Sequence, residues 1–167
     1  MNFRKRFAIS CSLSCLALVL SASYALAGGA DKYSCSEPNP AQMCNASNTC
    51  GSGSAPCSID VQRRGSTSAS STPEIPGAKR NAPFCVAAGT TLTWHSSSKD
   101  TGFILDFGPS SPFDKPGAII GGSDRTVSVV AKKSGCFKYS TGACTPGTIY
   151  GMCGSAESEL IITNGGK

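Results

Sequence analysis

Beyond Pro83 the chain alternates apolar and polar residues in short runs, which turn-forming residues separate. In TVSVVA, for example, Val127 and Val129 fall on the same side of a strand, so one face can enter a shared core. Helix signals are nearly absent, and the pattern predicts an antiparallel all-β domain, a two-sheet sandwich or small barrel. The predicted strands are PFCVA (83–87), TTLTWH (90–95), GFILDF (102–107), TVSVVA (126–131), CFKYS (136–140) and ELIIT (159–163).

The first half of the chain has a different composition. Residues 28–57 are rich in Ser, Asn, Pro and Gly, contain four cysteines and have almost no aliphatic residues, which predicts an irregular arm held by disulfides. Residues 58–62 (SIDVQ) are consistent with a first strand, whereas the Ser- and Pro-rich stretch 65–83 predicts a loop. The expected division is therefore a leader at 1–27, the arm at 28–57 and a β-sandwich domain at 58–167.

The leader has the features of a secretory signal peptide. Arg4, Lys5 and Arg6 precede the apolar run FAISCSLSCLALVL, and the small-residue triplet 25–27 (ALA) places cleavage after Ala27. The apolar run is too short for a membrane span, and no later segment is long and apolar enough for one. The sequence thus predicts a secreted or periplasmic protein without a transmembrane segment after cleavage.

Charge argues against nucleic acid as a partner. Removing the three basic leader residues from the 15 Lys and Arg leaves 12, against 10 Asp and Glu. The remaining net charge of +2 forms no basic stripe, because the basic pairs along the chain are isolated from one another. The partner is expected to be an envelope or extracellular protein or a small ligand, and the sequence does not identify it.

Eight cysteines remain after cleavage, an even number in a chain with an export signal, and four disulfides are the expected state. The sequence alone does not determine how they pair. The candidates are Cys35, Cys44, Cys50, Cys57, Cys85, Cys136, Cys144 and Cys153.

The segment CTPGTIYGMCG (144–154) places two soft sulfur donors, Cys144 and Met152, on one short loop, which suits copper. Cys153 offers the same thiol a covalent partner. This segment continues to ELIITN near the end of the chain, and AAGTTLTWHSSS and GFILDF precede it. In this order the three segments resemble the cupredoxins, the Greek-key β-sandwich family of blue-copper proteins, over about residues 84–164. The matching loop positions are Cys144, Pro146, Gly151, Met152 and Gly154.

The resemblance implies a copper site, yet both family histidines are missing. Gly147 occupies the position of the loop histidine, and Thr101 or a neighbour occupies that of the early histidine. A type 1 copper centre needs two imidazoles and a thiolate, and His95 is the one histidine of the sequence. We therefore expect a cupredoxin-like fold without type 1 copper or any other cofactor. The alternative is a copper-binding or electron-transfer protein that uses Cys144, Met152 and His95.

Nothing in the pattern favours catalysis. No GxSxG elbow accompanies His95, which we interpret as a solvated edge histidine beside Trp94 or Ser97. Three aspartates, at positions 100, 106 and 114, lie near Ser, Gly and Pro, where carboxylates usually accept backbone hydrogen bonds in turns. The sequence predicts a non-enzymatic, disulfide-stabilised binding or structural module, and a small secreted inhibitor that presents the arm is a further alternative.

Overall fold

The computed structural model describes residues 33, 35–36, 38–51, 54–145 and 153–165. The described chain is all-β, with two short 3-10 helices, Pro40–Met43 and Gly108–Ser110, and no α-helix. The predicted signal peptide lies outside the described residues. The nine strands are β1 Cys57–Arg64, β2 Ser68–Pro73, β3 Phe84–Ala87, β4 Thr91–His95, β5 Gly102–Asp106, β6 Ile119–Gly122, β7 Val127–Val130, β8 Gly135–Cys144 and β9 Cys153–Thr163.

The six strands that the alternation predicts and the first strand expected at residues 58–62 are all present, which confirms the all-β prediction. Strands β8 and β9 are longer than expected, because they pair with each other over ten consecutive residues, from Gly135–Ile162 to Cys144–Cys153. Long antiparallel pairing holds small and polar residues, such as Gly142 and Ser155, in the extended conformation, although neither residue favours it alone.

The prediction that residues 65–83 form a loop is wrong, because β2 lies within them. A turn containing Gly65, whose φ is +62°, reverses the chain after β1 and places Ser68–Pro73 antiparallel to it. The sequence pattern did not indicate this strand, because its buried residues include polar serines. Ser71 is fully buried, and its hydroxyl hydrogen-bonds to that of Tyr139 at 2.8 Å, which offsets the loss of solvent.

Strand β6 corresponds to none of the predicted runs, because two of its four residues are the glycines Gly121 and Gly122. The chain reverses directly after it, where Gly122 and Arg125 exchange backbone hydrogen bonds. Within β6, Gly121 lies against the ring of Phe103, and a Cβ at this position would collide with that ring. A glycine is present here because the sheet is closely packed, and not because the chain turns.

The strands form a single sheet in the order β6-β5-β8-β9-β2-β1-β4-β7, and β3 pairs with β9 as a side branch. Strands β1 and β4 run parallel, as do β3 and β9, and a single parallel pair, Ser68–Ser155, joins β2 to β9. The other pairings are antiparallel. The sheet curls until its end strands, β6 and β7, approach each other, so it is nearly closed.

Four aromatic rings form the centre of the core. Trp94 makes edge contacts with Phe107 and Phe113, at centroid distances of 6.2 and 5.5 Å, and Phe107 stacks on Tyr139 at 4.5 Å. Such pairs stabilise a core beyond the apolar area they bury. Burial raises the pKa of Tyr139, while its hydrogen bond to Ser71 acts in the opposite direction.

The predicted disulfide-tied arm packs against the sheet. Bridges Cys35–Cys136 and Cys44–Cys85 join it to β8 and β3, and Cys50–Cys57 joins it to the start of β1. Backbone bonds from Cys50 N to Cys85 O and from Cys85 N to Asn48 O, both 2.8 Å, add the arm as a short parallel neighbour of β3. Disulfides and hydrogen bonds thus hold a segment that buries few apolar residues of its own.

Candidate functional site at the bridged β8–β9 corner

Strand β8 ends at Cys144 and β9 begins at Cys153, and the two residues are register partners with Cα atoms 4.1 Å apart. Their sulfurs form a disulfide. A bridged sulfur is neither a thiolate ligand nor a nucleophile, so in this state Cys144 provides no metal-binding thiolate. The intervening residues 146–152, which include Met152, lie outside the described part of the chain.

The position preceding the GFILDF strand also lies at this corner. Gly102, the first residue of β5, is the register partner of Cys144. Thr101 beside it is 4 % exposed, and its hydroxyl donates to the carbonyl of Lys99 at 3.3 Å. The two chain segments that the resemblance assigns to copper ligands are therefore adjacent, but they present Thr101 and an oxidised Cys144, and Gly147 lies outside the described residues.

Gly154 fixes how closely β9 approaches β2. A Cβ on Gly154 would collide with the backbone carbonyl of Ser68, and the neighbouring pair Ser68–Ser155 forms the single bridge between these strands. The glycine that the sequence matched to the family loop thus has a packing role here. It allows the two halves of the sheet to join at the corner.

Arg63 connects β1 to the same corner. Its guanidinium donates from Nη1 to Thr145 Oγ1 and from Nη2 to the carbonyl of Ser66, both at 3.4 Å. The buried Nε has no hydrogen-bond partner among the described residues. Sequence reasoning missed this contact, because Arg63 and Thr145 are far apart in the chain and no local pattern connects them.

His95 lies at the end of β4 and pairs with an acid. Its Nε2 is 3.0 Å from Glu74 Oε1, and both side chains are partly exposed. The sequence led us to expect the ring beside Trp94 or Ser97, whereas the hydrogen-bond partner in the structure is Glu74. Residue 74 lies in the stretch predicted to be a loop, so no sequence pattern indicated this contact.

The described residues contain one group of three potential metal donors within 4.8 Å of one another, and it is Cys35, Cys136 and Glu159. The two sulfurs of this group are bonded to each other, and Ser36 donates to Glu159 Oε1 from its backbone N and its hydroxyl at 2.8 and 2.6 Å. If the His95 ring lay close to the Cys144–Cys153 bridge, these three residues would form a second group of this kind. The described residues contain no such group, so His95 lies away from that bridge. Of the candidate ligands that the structure describes, His95 and Cys144 therefore do not converge.

The aspartates have structural hydrogen-bond partners. Asp106 Oδ1 accepts from Gly108 N at 2.9 Å, Asp114 Oδ1 accepts from Val130 N at 2.8 Å, and Asp60 accepts from the backbone and hydroxyl of Ser97. Asp100 adopts a positive φ of 55°, as turn residues do. The interpretation of Asp106 and Asp114 as acceptors of backbone hydrogen bonds is confirmed.

A cavity of about 530 Å³ lies where the arm meets the sheet, beside the Cys35–Cys136 bridge. Its lining is mainly apolar, with Tyr33, Phe107 and Phe137 as the large side chains and Lys138 as the charged one. A cavity of this size can admit a small molecule, but it brings few polar groups together to orient one.

A scan of protein-family models finds no match to this chain, and a search of curated proteins finds none either. Among the described residues no helix is both long and apolar enough to span a membrane.

Proposed function

We propose that this protein is an exported, cupredoxin-like binding or structural module in which the Cys144–Cys153 disulfide takes the place of a type 1 copper centre. It acts without catalysis and without a cofactor, through contacts with an envelope or extracellular protein or a small ligand. The observation that carries the proposal is the bridge itself, at the corner where the resemblance expects copper ligands.

The strand connections support a cupredoxin-like Greek key. Neighbours in the sheet are often distant in the chain, as β5 and β8 or β1 and β4 are, which requires long crossings of the kind found in Greek-key sandwiches. Gly102 lies beside Cys144, so the two segments that the resemblance assigns to copper ligands are adjacent. The strand connections support the resemblance independently of the loop motif.

The donor chemistry supports the absence of type 1 copper. Such a centre needs two imidazole nitrogens and a thiolate, with methionine as a weak axial ligand. The chain has one histidine, His95, which is paired with Glu74, and the sulfur of Cys144 is bonded to that of Cys153. The residues present therefore do not fit a type 1 copper ion, and the copper-binding alternative would first require the bridge to be opened.

The compartment follows from the sulfur chemistry and the leader. Four disulfides favour an extracellular or other oxidising environment, where such bridges form and persist. With the predicted signal peptide, this supports a secreted or periplasmic location.

The proposal is tested by measuring metal in protein purified from an oxidising compartment. We expect no stoichiometric copper or zinc, and the same weak response to added Cu²⁺ in the wild type and in the variant Cys144→Ala/Cys153→Ala. The variant Cys50→Ala/Cys57→Ala, which opens a bridge far from the corner, serves as the matched control. Tightly bound copper that is lost when Cys144 alone is replaced, and retained in the control, would reject the proposal.

A further inference from the structure

The nearly closed sheet has a gap between its end strands, and we call this gap the seam. It lies between β6 (Ile119–Gly122) and β7 (Val127–Val130). The two strands begin as a hairpin, since Gly122 and Arg125 exchange backbone hydrogen bonds of 2.9 and 3.3 Å. No register pair joins the strands beyond this turn, and β7 pairs with β4 on its other edge, where Val127 is the partner of Trp94.

The free edge of β7 is already covered. The carbonyl of Val130 accepts a hydrogen bond from the backbone N of Asp114 at 3.1 Å, and the backbone N of Val130 donates to the Asp114 carboxylate at 2.8 Å. The ammonium group of Lys115 donates to the carbonyl of Ser128 at 3.3 Å. The segment around Asp114 therefore occupies the place of a neighbouring strand, a common way to protect an edge.

The free edge of β6 is not covered in this way. Gly122 directs its backbone groups away from β5, toward Arg125, and residues two apart on a strand point to the same side. The N–H and C=O of Ile120 therefore point into the seam, and neither has a hydrogen-bond partner among the described residues.

The same place carries exposed apolar side chains. Ile120 is 56 % exposed and its cross-strand partner Ile104 is 42 % exposed, and these are the exposed large hydrophobic residues of the described chain. The partner of Ile104 on strand β8 is Gly142, which has no side chain to cover the isoleucine on that face of the sheet. An unpaired backbone next to exposed isoleucines is the arrangement that added strands use.

The groove along the seam is apolar at its base and positive at its rim. It has a volume of about 370 Å³ and is lined by Ile119, Val127 and Val129, together with Lys115 and Arg125. None of the described lining residues is acidic, and neither cation forms a salt bridge within the described chain. This charge pattern complements an acidic partner, whereas a second copy paired edge to edge would bring cations together.

We infer that the seam binds an extended segment of a partner protein, alternating apolar and acidic residues, as an added strand on β6. Its backbone pairs with Ile120, its apolar side chains enter the groove, and its carboxylates contact Lys115 and Arg125. This inference rests on the proposed function as a binding module and names its class of partner.

The test uses two capped octapeptides, one alternating valine with glutamate and one alternating valine with lysine, added to the intact, disulfide-bonded protein. Amide NMR spectra follow binding and locate it. We expect the glutamate peptide to bind, with shifts concentrated at Ile120, Arg125 and Val127. Its affinity should fall by about tenfold or more in Lys115→Glu/Arg125→Glu, which should prefer the lysine peptide.

Two further variants separate charge from backbone pairing. Lys79→Glu/Arg80→Glu changes the net charge equally at exposed positions away from the seam, and its affinity should match that of the wild type. Ile120→Pro removes the N–H that faces the seam without breaking a bond of the native sheet, and it should weaken binding by about tenfold, whereas Ile120→Val should not.

The inference is overturned if the glutamate peptide does not bind at millimolar concentration, or if both charge variants weaken it equally. Shifts away from the seam, or a self-association that fills it with a second copy, would also overturn it. Metal content measured on the same preparation keeps the two proposals apart, since tightly bound copper would reject the proposed function whatever the peptides do.

Discussion

Strand β8 carries a disulfide near each end, and the two bridges constrain very different lengths of chain. Near its start Cys136 binds Cys35, 101 residues away, whereas its last residue, Cys144, binds Cys153, nine residues away. Because a cross-link stabilises mainly by restricting the unfolded chain, the long bridge should contribute more to the free energy of unfolding than the short one.

The long bridge holds a segment that cannot hold itself. Before Cys57 the buried hydrophobic cluster includes only Cys50 among the described residues, whereas every strand of the sheet from β1 to β9 contributes to the cluster or packs against it. Hydrogen bonds such as those from Ser36 to Glu159 supplement the bridge. In the arm, disulfides therefore provide the stabilisation that buried apolar side chains provide in the sheet.

The short bridge joins strands that would pair without it. Strands β8 and β9 already share ten register pairs, so the Cys144–Cys153 bond adds little to their alignment. Its effect is therefore expected at the end of the strand pair, where Cys144 and Cys153 lie. The long bridge holds the arm on the sheet, whereas the short bridge restrains the β8–β9 corner.

The largest effect is expected on opening the long bridge. Cys35→Ala/Cys136→Ala should lower the free energy of unfolding by about 4 kcal/mol, somewhat less than a loop of this length implies, because Cys44–Cys85 still shortens the free chain. Urea denaturation followed by tryptophan fluorescence measures this change. If opening the long bridge lowered the free energy of unfolding no more than opening the short bridge, the proposed difference between the two bridges would be wrong.

Opening the short bridge should cost about 2 to 3 kcal/mol, the value for a loop of nine residues. In Cys144→Ala/Cys153→Ala we expect the amide NMR spectrum to change around the corner while β8 and β9 stay paired. Collapse of the whole spectrum would instead show that the short bridge, like the long one, supports the fold.

Gly154 sharpens the comparison by a change that leaves both bridges intact. Gly154→Ala should lower the free energy of unfolding by about 2 kcal/mol, because the added methyl collides with the Ser68 carbonyl and separates β9 from β2. Ser155→Ala, at the exposed next position, is the matched control and should change it by less than about 0.5 kcal/mol. Equal values from urea denaturation would contradict the close approach.

The smallest effect is expected at His95. Its contact with Glu74 is partly exposed, so His95→Gln should lower the free energy of unfolding by less than about 1 kcal/mol. The same variant should leave the response to added copper unchanged, which a titration monitored by absorbance checks. A large loss of copper affinity would favour the copper-binding alternative.

Much of the fold could be predicted because alternation directly reports which side of a strand is buried. The runs at β4, β5 and β7 show it clearly. Strands β2 and β6 were not predicted because half of β2 is serine and half of β6 is glycine, residues whose place in the sheet depends on contacts with Tyr139 and Phe103. The oxidised state of the cysteines followed from their even number, but their pairing depends on the folded sheet.

The candidate site was predictable in part. The cysteine loop and the missing histidines are visible in the sequence, whereas the proximity of Gly102 to Cys144 became apparent only from the pairing of β5 with β8. The partners of His95 and Arg63 were not predictable, since Glu74 and Thr145 reach them only after the strands have paired.

The central claim, that sulfur and not metal closes the β8–β9 corner, is tested most directly by mapping thiols in the exported protein. The protein is alkylated without reduction, digested, and analysed by mass spectrometry before and after Cu²⁺ is added. We predict that Cys144 is recovered unalkylated in a peptide linked to Cys153, and that copper produces no intense blue absorbance. An alkylated Cys144 in protein that turns blue with copper would contradict the claim.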